Sequence, residues 1–584
     1  MTMKRLTRFF VLLGLVACTA LGHAQQVSVV EKELSNGMKL LMLPRKGEPT
    51  ISGGWVARVG SANERPGITG IAHLFEHMMF KGTPTLGTKD YKKDLEIINE
   101  QERVRDLMRA EEAKVRDLYR KGEIDDPYKP ENKTARYKEL EKQFNELIKQ
   151  QREIMVKNEF DRVYTAAGGS QMNAFTSVDM TAYFITVPAN RLEFFMWMES
   201  ERLLRPVFRE FYAERDVVFE ERRMRTESTP TGRLEEMFNA MFWESHPYSW
   251  PTVGWPSDIP AISKAQADEF YALYYQPQNL TLILVGDFDT QECAALCERY
   301  FGRIPKGKQP APDVVTLEMK QIGEKRMNGE AEANPMVDIM YHTVPFGHKD
   351  SYALKVLGQL LSTRTGRLYK GMVLGKQVAT ETWARQDAYK WAGAFNLGAE
   401  CKDGVSPADV EAALYAEIEK LQNETVSNDE LQKVKNNFAA SEYRKLANNH
   451  AILFQLIFNE GFGDWKEINE GGKKIQAVTA DDVKRVVTEY FKKENRAVAT
   501  YTRKPGKAPT GGDDIFAGLS EEQKTVIRKV QSSIQAEASI EKLKQAQEQI
   551  TKQMGGADAK NKPFLQTYLK LVTDRINALE KGTK

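Results

Sequence analysis

His73, Glu76 and His77 stand in the pattern His-x-x-Glu-His. On a helix the two imidazoles, four residues apart, share one face and can grip a single zinc ion. Glu76, between them, can reach a water beside that ion and take its proton. Two nitrogen ligands with a carboxylate base are the apparatus of metal-assisted hydrolysis; a pair of packed core histidines is the plainer alternative. Zinc also needs a third protein ligand, which five residues do not supply.

Downstream acids are the place to look for it. Glu210, Glu214, Glu220 and Glu221 fall in one expected helical run. Glu214 and Glu221 lie seven apart, two turns along one face, so that one can ligate while the other stands behind it. The same spacing also describes the wet side of an ordinary helix.

These residues need elements to position them. Residues 27–60 alternate in hydrophobicity around Asn36-Gly37, a hairpin signal, so antiparallel strands precede the His73 helix. Further strands are expected over 180–187 and 280–285. Helices are expected over 189–204 and 207–226, with Pro206 at a junction where a helix can start but not continue. Between 91 and 160, Val104, Met108, Val115 and Leu118, then Leu140, Phe144, Leu147 and Ile154, recur at heptad-like spacing amid dense charge. Pro127 and Pro130 break the run, so this is read as an inserted, charged helical hairpin.

A Pro- and Lys-rich linker near 305–312 separates a first domain (27–305) from a second (313–503). The second shows strands over 336–341 and 394–399 and helices over 351–361, 407–421 and 429–447. This order resembles the first half, as a duplicated domain would. From 504 to 584 the chain passes through a Gly/Pro-rich stretch into a polar helical tail.

Composition narrows the class. Of 584 residues, 83 are basic and 81 acidic, a net charge of +2 that argues against a nucleic-acid partner. Lys4, Arg5 and Arg8 precede an apolar run at 9–17, too short to span a bilayer, and the segment reads as a secretory signal over 1–24 cleaved after Ala24. The alternative is a lipobox ending at Cys18, whose lipid would be the one membrane attachment. Either predicts an exported, periplasmic protein. Cys293, Cys297 and Cys401 are too few for a disulfide framework and read as packed thiols. His342 and His348 are assigned packing and surface work.

Gly70-Ile71-Ala72-His73-Leu74-Phe75-Glu76-His77-Met78-Met79-Phe80-Lys81-Gly82-Thr83 resembles the inverted zinc motif of the insulinase, or pitrilysin (M16), peptidases, in particular the bacterial branch akin to mitochondrial processing peptidase. Asn173-Ala174-Phe175-Thr176 resembles the family's segment at a substrate-pairing edge strand, and Glu214-Arg215-Asp216-Val217-Val218-Phe219-Glu220-Glu221 its acidic helix. His246-Pro247-Tyr248, Tyr275-Gln276-Pro277 with Asn279, and Val285-Gly286-Asp287-Phe288 follow in the family's order. The resemblance implies one zinc per chain on His73, His77 and Glu221, with Glu220 as fallback third ligand, Glu76 as base and Glu214 as an outer acid. It implies peptide substrates paired near Asn173, Ala174 and Phe175. It also implies an α+β fold of two homologous domains forming half of a clam shell.

Two departures from the family stand out. The interval from His77 to Glu221 is about twice the usual length, which the hairpin explains if it leaves and re-enters at adjacent points. The family's carbonyl-holding Arg and Tyr of the second domain align with Val373 and Thr380. A related partner subunit carrying that pair is therefore expected to complete the enzyme as a heterodimer; a homodimer is the alternative assembly. A non-catalytic peptide-binding or assembly subunit is the rival reading, against which the intact Glu76 speaks.

Overall fold

The computed structural model describes residues 26–504, 519–520, 539–556 and 561–581, with scattered positions from 523 to 534. The expected leader over 1–24, with Cys18, and the stretch 505–518 lie outside the described residues.

In chain order the first half comprises β1 (Val30–Glu33), β2 (Lys39–Pro44), β3 (Thr50–Ala57), α1 (Ile71–Met78), α2 (Tyr91–Arg120), α3 (Ala135–Ile154), α4 (Glu159–Ala166), β4 (Ser170–Thr176), β5 (Thr181–Pro188), α5 (Leu192–Leu204), α6 (Phe211–Arg222), α7 (Gly232–Phe242), α8 (Lys264–Tyr274), β6 (Leu280–Gly286) and α9 (Thr290–Phe301). The second adds β7 (Lys325–Ala331), β8 (Met336–Thr343), α10 (Ser351–Ser362), β9 (Ala379–Ala388), β10 (Gly393–Cys401), α11 (Pro407–Asn423), α12 (Asn428–Lys445), α13 (Asn449–Phe462), α14 (Glu467–Ala477), α15 (Ala480–Tyr490) and β11 (Arg496–Arg503).

The strands form a six-stranded sheet ordered β1-β2-β6-β3-β5-β4 and a five-stranded sheet ordered β7-β11-β8-β10-β9. Shifting β2 to β6 by five reproduces the second order, so the two halves repeat one topology. A side chain marks the repeat: Asn279 Nδ2 donates to Tyr274 O at 2.9 Å and to Arg58 O, while Asn495 Nδ2 donates to Tyr490 O at 2.8 Å and to His342 O. Each Asn ties the end of a helix to a neighbouring strand just before the last strand of its half. This is the expected α+β class: in the first sheet β2–β6 is parallel and the other pairs are antiparallel, and in the second β11–β8, β8–β10 and β10–β9 are antiparallel. At the predicted hairpin, Asn36 sends Nδ2 to Phe301 O and Ile304 O, and Gly37 takes φ 85°, which Gly alone adopts cheaply.

One face of the first sheet covers the helices of the first half, including α1, through Trp55, Tyr183, Ile185 and Phe75. Its other face packs Leu41, Val56, Ala182 and Phe184 against Ile452, Leu453, Leu456 and Ile457 of α13, a helix of the second half. The halves thus share a buried apolar layer. Cys293, Cys297 and Cys401 are buried and unbridged.

The inserted hairpin is α2 and α3. It leaves at Thr88 and returns at Met155, which face each other in an isolated bridge, with Lys89 N–H donating to Ile154 O at 2.8 Å and Val156 N–H to Gly87 O at 3.1 Å. Exit and re-entry are therefore adjacent, and the long interval before Glu221 costs the site no displacement.

The acid-bearing helix corrects one expectation. It begins at Phe211, not at 207: Val207 N–H donates to Gly82 O, and Glu210 takes a left-handed φ of 51°. The cause is Arg209, wholly buried, whose guanidinium must reach Lys81 O, Thr83 O and Leu86 O, which holds 207–209 out of a helix. After Arg222 the helix widens into a looser turn, Arg223–Glu227.

The tail, with Glu332–Asn334, forms a second compact unit. Within it α16 (Ile540–Met554) and α17 (Lys562–Lys581) pack through Leu543, Ile550, Val572 and Ile576. Among the described residues no helix is long and apolar enough to cross a membrane.

Candidate metal centre

α1 starts at Gly70, whose φ of 92° and 2.5 Å approach of a would-be Cβ to Val253 O exclude other residues without strain. Its orphan amides are satisfied at a distance: Glu64 accepts from Gly70 N–H at 2.9 Å and Ala72 N–H at 2.8 Å. At the other end Tyr183 Oη donates to Phe75 O at 3.0 Å, fastening the helix to β5. The two histidines are thus carried on a short helix fixed at both ends.

His73 is buried and His77 partly so, with ring centroids 5.0 Å apart. Both Nε2 atoms converge on Glu221 Oε2, at 3.7 Å from His73 and 3.4 Å from His77. One ligand atom each from His73, His77 and Glu221 lies within 4.8 Å of the others. Two imidazoles and a carboxylate converging in this way are a zinc donor set. The residues present fit the ion. Glu220, the fallback, instead pairs with Arg223 at 2.9 Å.

Glu214 stands behind the set, its Oε1 3.0 Å from His77 Nδ1 and its other oxygen paired with Lys81. Glu76 points to the same space: Oε2 is 4.0 Å from His73 Nε2 and accepts from Thr176 Oγ1 at 2.8 Å. Arg225 holds the second oxygen of Glu221 at 2.8 Å. Burial raises the Glu76 carboxyl, and the Thr176 hydroxyl and the His77 charge only partly offset it. Burial, then His77 and Arg225, drive His73 down to about 3, so its imidazole is neutral, with one nitrogen protonated and the other able to donate its lone pair. Burial also pushes His77 down, but the Glu214 hydrogen bond and charge more than reverse it. Burial would raise Glu214, yet His77 and Lys81 leave it lowered and ionised.

β4 is an edge strand, paired among the described residues with β5 alone. Ala174 and Thr176 face α1, and Phe175 turns the other way, its ring stacked on Phe458 of α13 at 5.0 Å. Phe175 can therefore offer a substrate its backbone but not its ring. Asn173 Oδ1 accepts from Ala174 N–H at 2.9 Å. Asn173 and Ala174 also line a cavity of about 340 Å³ shared with Glu76, His77 and Glu214, and bounded at the hairpin root by Met155 and Val156. Thr176, Arg225 and Glu64 were not singled out by sequence; only Thr176 carried a usable signal, as the residue two along the strand from Ala174 and so on the same face.

The chain matches the sequence profile described as insulinase (peptidase family M16) over 42–103 and 152–254, and that of the peptidase M16 inactive domain over 261–438. It belongs to peptidase family M16. The unmatched 104–151 falls within the α2–α3 hairpin. Among its relatives, the zinc protease PqqE of Helicobacter pylori is 25% identical over 487 residues, 82% of this chain and 94% of that one. An uncharacterized zinc protease of Mycobacterium leprae is 22% identical over 478 residues, covering 80% and 91%. In fold the chain is similar to a protease from Helicobacter pylori, with a TM-score of 0.67 at 24% identity over 82% of this chain and all of that one. It is also similar to the periplasmic protease PqqL from Escherichia coli, with a TM-score of 0.59 at 18% identity over 82% of this chain and 48% of that one.

Val373 and Thr380, where the sequence resemblance would put the Arg and Tyr, have other surroundings. Val373 packs against the second core, and Thr380 Oγ1 donates to Glu400 Oε1 at 2.6 Å.

Proposed function

We propose that this chain is the zinc-bearing subunit of an exported metalloendopeptidase acting on peptides or unfolded polypeptide segments. The observation that carries this reading is the convergence of both histidine Nε2 atoms on Glu221 Oε2 beside a Glu76 held by Thr176. One ion per chain, held by His73, His77 and Glu221, would polarise water and the scissile carbonyl. Glu76, its proton affinity raised by burial, accepts a proton from the attacking water and delivers it to the departing amine. Thr176 keeps that carboxylate aimed, and Glu214 keeps the His77 ring in the tautomer that leaves Nε2 free. An extended peptide pairs its backbone with the outer edge of β4, displacing the Asn173 amide from Ala174 N–H, so selection depends on fit more than on one side chain.

Zinc protease is the description carried by the relatives, and periplasmic that of PqqL. The leader expected over 1–24 agrees with export to the periplasm, with Cys18 as a lipid anchor in the alternative. The carbonyl-holding pair absent from Val373 and Thr380 would come from a related subunit that carries it, since a second copy of this chain would lack it too. That PqqL is about twice the length spanned here, in one chain, supports a two-part enzyme.

The same absence favours the second reading, a peptide-binding or assembly subunit without turnover. Zinc content and cleavage of a quenched peptide library decide between them, for wild type and Glu76→Gln, each alone and with a partner chain carrying the Arg/Tyr pair. Zinc in both proteins with cleavage only by wild type plus partner is expected; zinc without turnover in any combination supports the binding subunit, and full activity of the isolated wild type removes the partner.

A further inference from the structure

A second cavity, of about 470 Å³, opens between the inserted hairpin and the body. Arg105 and Arg116 come from α2, Lys133 from the turn before α3, and Arg215 from α6; Glu112 is the single carboxylate in the lining. Tyr128, Tyr137 and Pro260 supply apolar wall.

Its cations are under-satisfied. Arg105 and Arg215 are 5% and 7% exposed, and the Nε of each has no hydrogen-bond partner among the described residues. Each guanidinium has five N–H donors. Those of Arg105 reach only Met108 Sδ at 3.7 Å and Glu112 at 3.4 Å; those of Arg215 reach Ile262 O at 3.3 Å and Asp216 at 3.6 Å. Both guanidinium carbons lie 5.0 Å from the centre of the Tyr212 ring, which brings two like charges together in a buried place. Arg109 is already held by Asp106 and by Tyr212 Oη at 3.2 Å, and Lys133 by Glu141 at 2.8 Å. Arg116 has no ion pair among the described residues.

Buried guanidiniums normally find acceptors, because a buried donor left without one keeps the full cost of leaving water. A cluster of them on the wall of an open cavity is explained by an acceptor that arrives from outside. We propose that this cavity binds a small organic anion, a phosphate or carboxylate group on an apolar body, with Arg105 and Arg215 holding the anion and Tyr128 and Tyr137 covering the rest. Guanidinium forks suit both headgroups bidentately. This gives the insertion a function of its own: it supplies Arg105, Arg116 and Lys133, while the body supplies Arg215.

The test is calorimetric titration of the full chain with phenyl phosphate, phthalate and, as the uncharged control, phenol. One of the two anions should bind at least about tenfold more tightly than phenol, and which of them does so identifies the headgroup. Arg116→Gln with Lys133→Gln, on exposed or half-buried positions that do not threaten folding, should weaken that binding about tenfold. Arg215→Gln should weaken it further where melting shows the variant folded. No anion binding up to roughly 10 mM, equal affinity for phenol, or binding unchanged in the double variant would each overturn the proposal.

Discussion

Nδ1 of His77 lies 3.0 Å from Oε1 of Glu214, and Lys81 closes on the other oxygen of the same carboxylate. The contact fixes the proton on Nδ1 and leaves the Nε2 lone pair facing Glu221, which is how a carboxylate behind a metal-binding histidine raises its basicity. Glu214→Ala should therefore weaken zinc binding about ten- to a hundredfold, and Glu214→Gln less, since its amide oxygen still accepts from Nδ1. Chelator competition reads both; equal zinc affinity in wild type and Glu214→Ala would refute the role.

Thr176 reaches across from β4 to Glu76 at 2.8 Å. Thr176→Val keeps the strand's shape and removes only the donor. With Glu76 no longer aimed, kcat should fall about tenfold, while zinc content and KM stay near wild type. An equal fall in zinc content would mean that the threonine supports the fold of the site instead.

Asp94 and Arg209 form an ion pair at 2.5 Å with both side chains fully buried. Arg209 also donates to the carbonyls of Lys81, Thr83 and Leu86, in the loop that leaves α1. Removing one partner of a buried pair strands the other charge, so Asp94→Ala should cost about 3–5 kcal/mol of stability in denaturant unfolding. A loss under about 1 kcal/mol would show that water or another acid replaces the carboxylate.

The centre was legible because its geometry is local. His73, Glu76 and His77 lie within one and a half turns of α1, and the seven-residue step from Glu214 to Glu221 is a helix face that tertiary packing has no reason to change. Alternation marked the strands β5, β6, β8 and β10, and the repeated order of elements pointed to a duplication, but the order in which the strands pair was not legible. What escaped was set by distant partners. Glu64 caps α1 from outside the helix, Arg209 shortens the start of α6 by reaching into another loop, and the ring of Phe175 turns to α13, more than 270 residues away in sequence. Propensity cannot report such contacts, because the energy that decides them belongs to a side chain and a carbonyl that meet only after folding.

His342 on β8 gives the last prediction. Its ring stacks on Phe242 at 3.8 Å and 11° and meets Trp243 edge-on at 5.3 Å, which is the packing role expected of it. Burial drives it down to about 4; Glu318 and Glu244 pull it up and Lys325 down, without restoring the usual histidine value of 6.5. In the unfolded chain the same imidazole protonates near 6.5, so between 6.5 and about 4 the unfolded state binds more protons than the folded one, and stability rises with pH across that window. The contribution is complete above 6.5 and is lost as pH falls through the window, on the order of 3 kcal/mol. His342→Phe keeps the stack and removes the titration. Between about pH 7 and pH 4.5, wild type should therefore lose about 2 kcal/mol more stability than the variant, with His246, also down to about 4 by burial, contributing equally to both. Parallel pH profiles for the two proteins would mean that the ring stays solvated where it stacks.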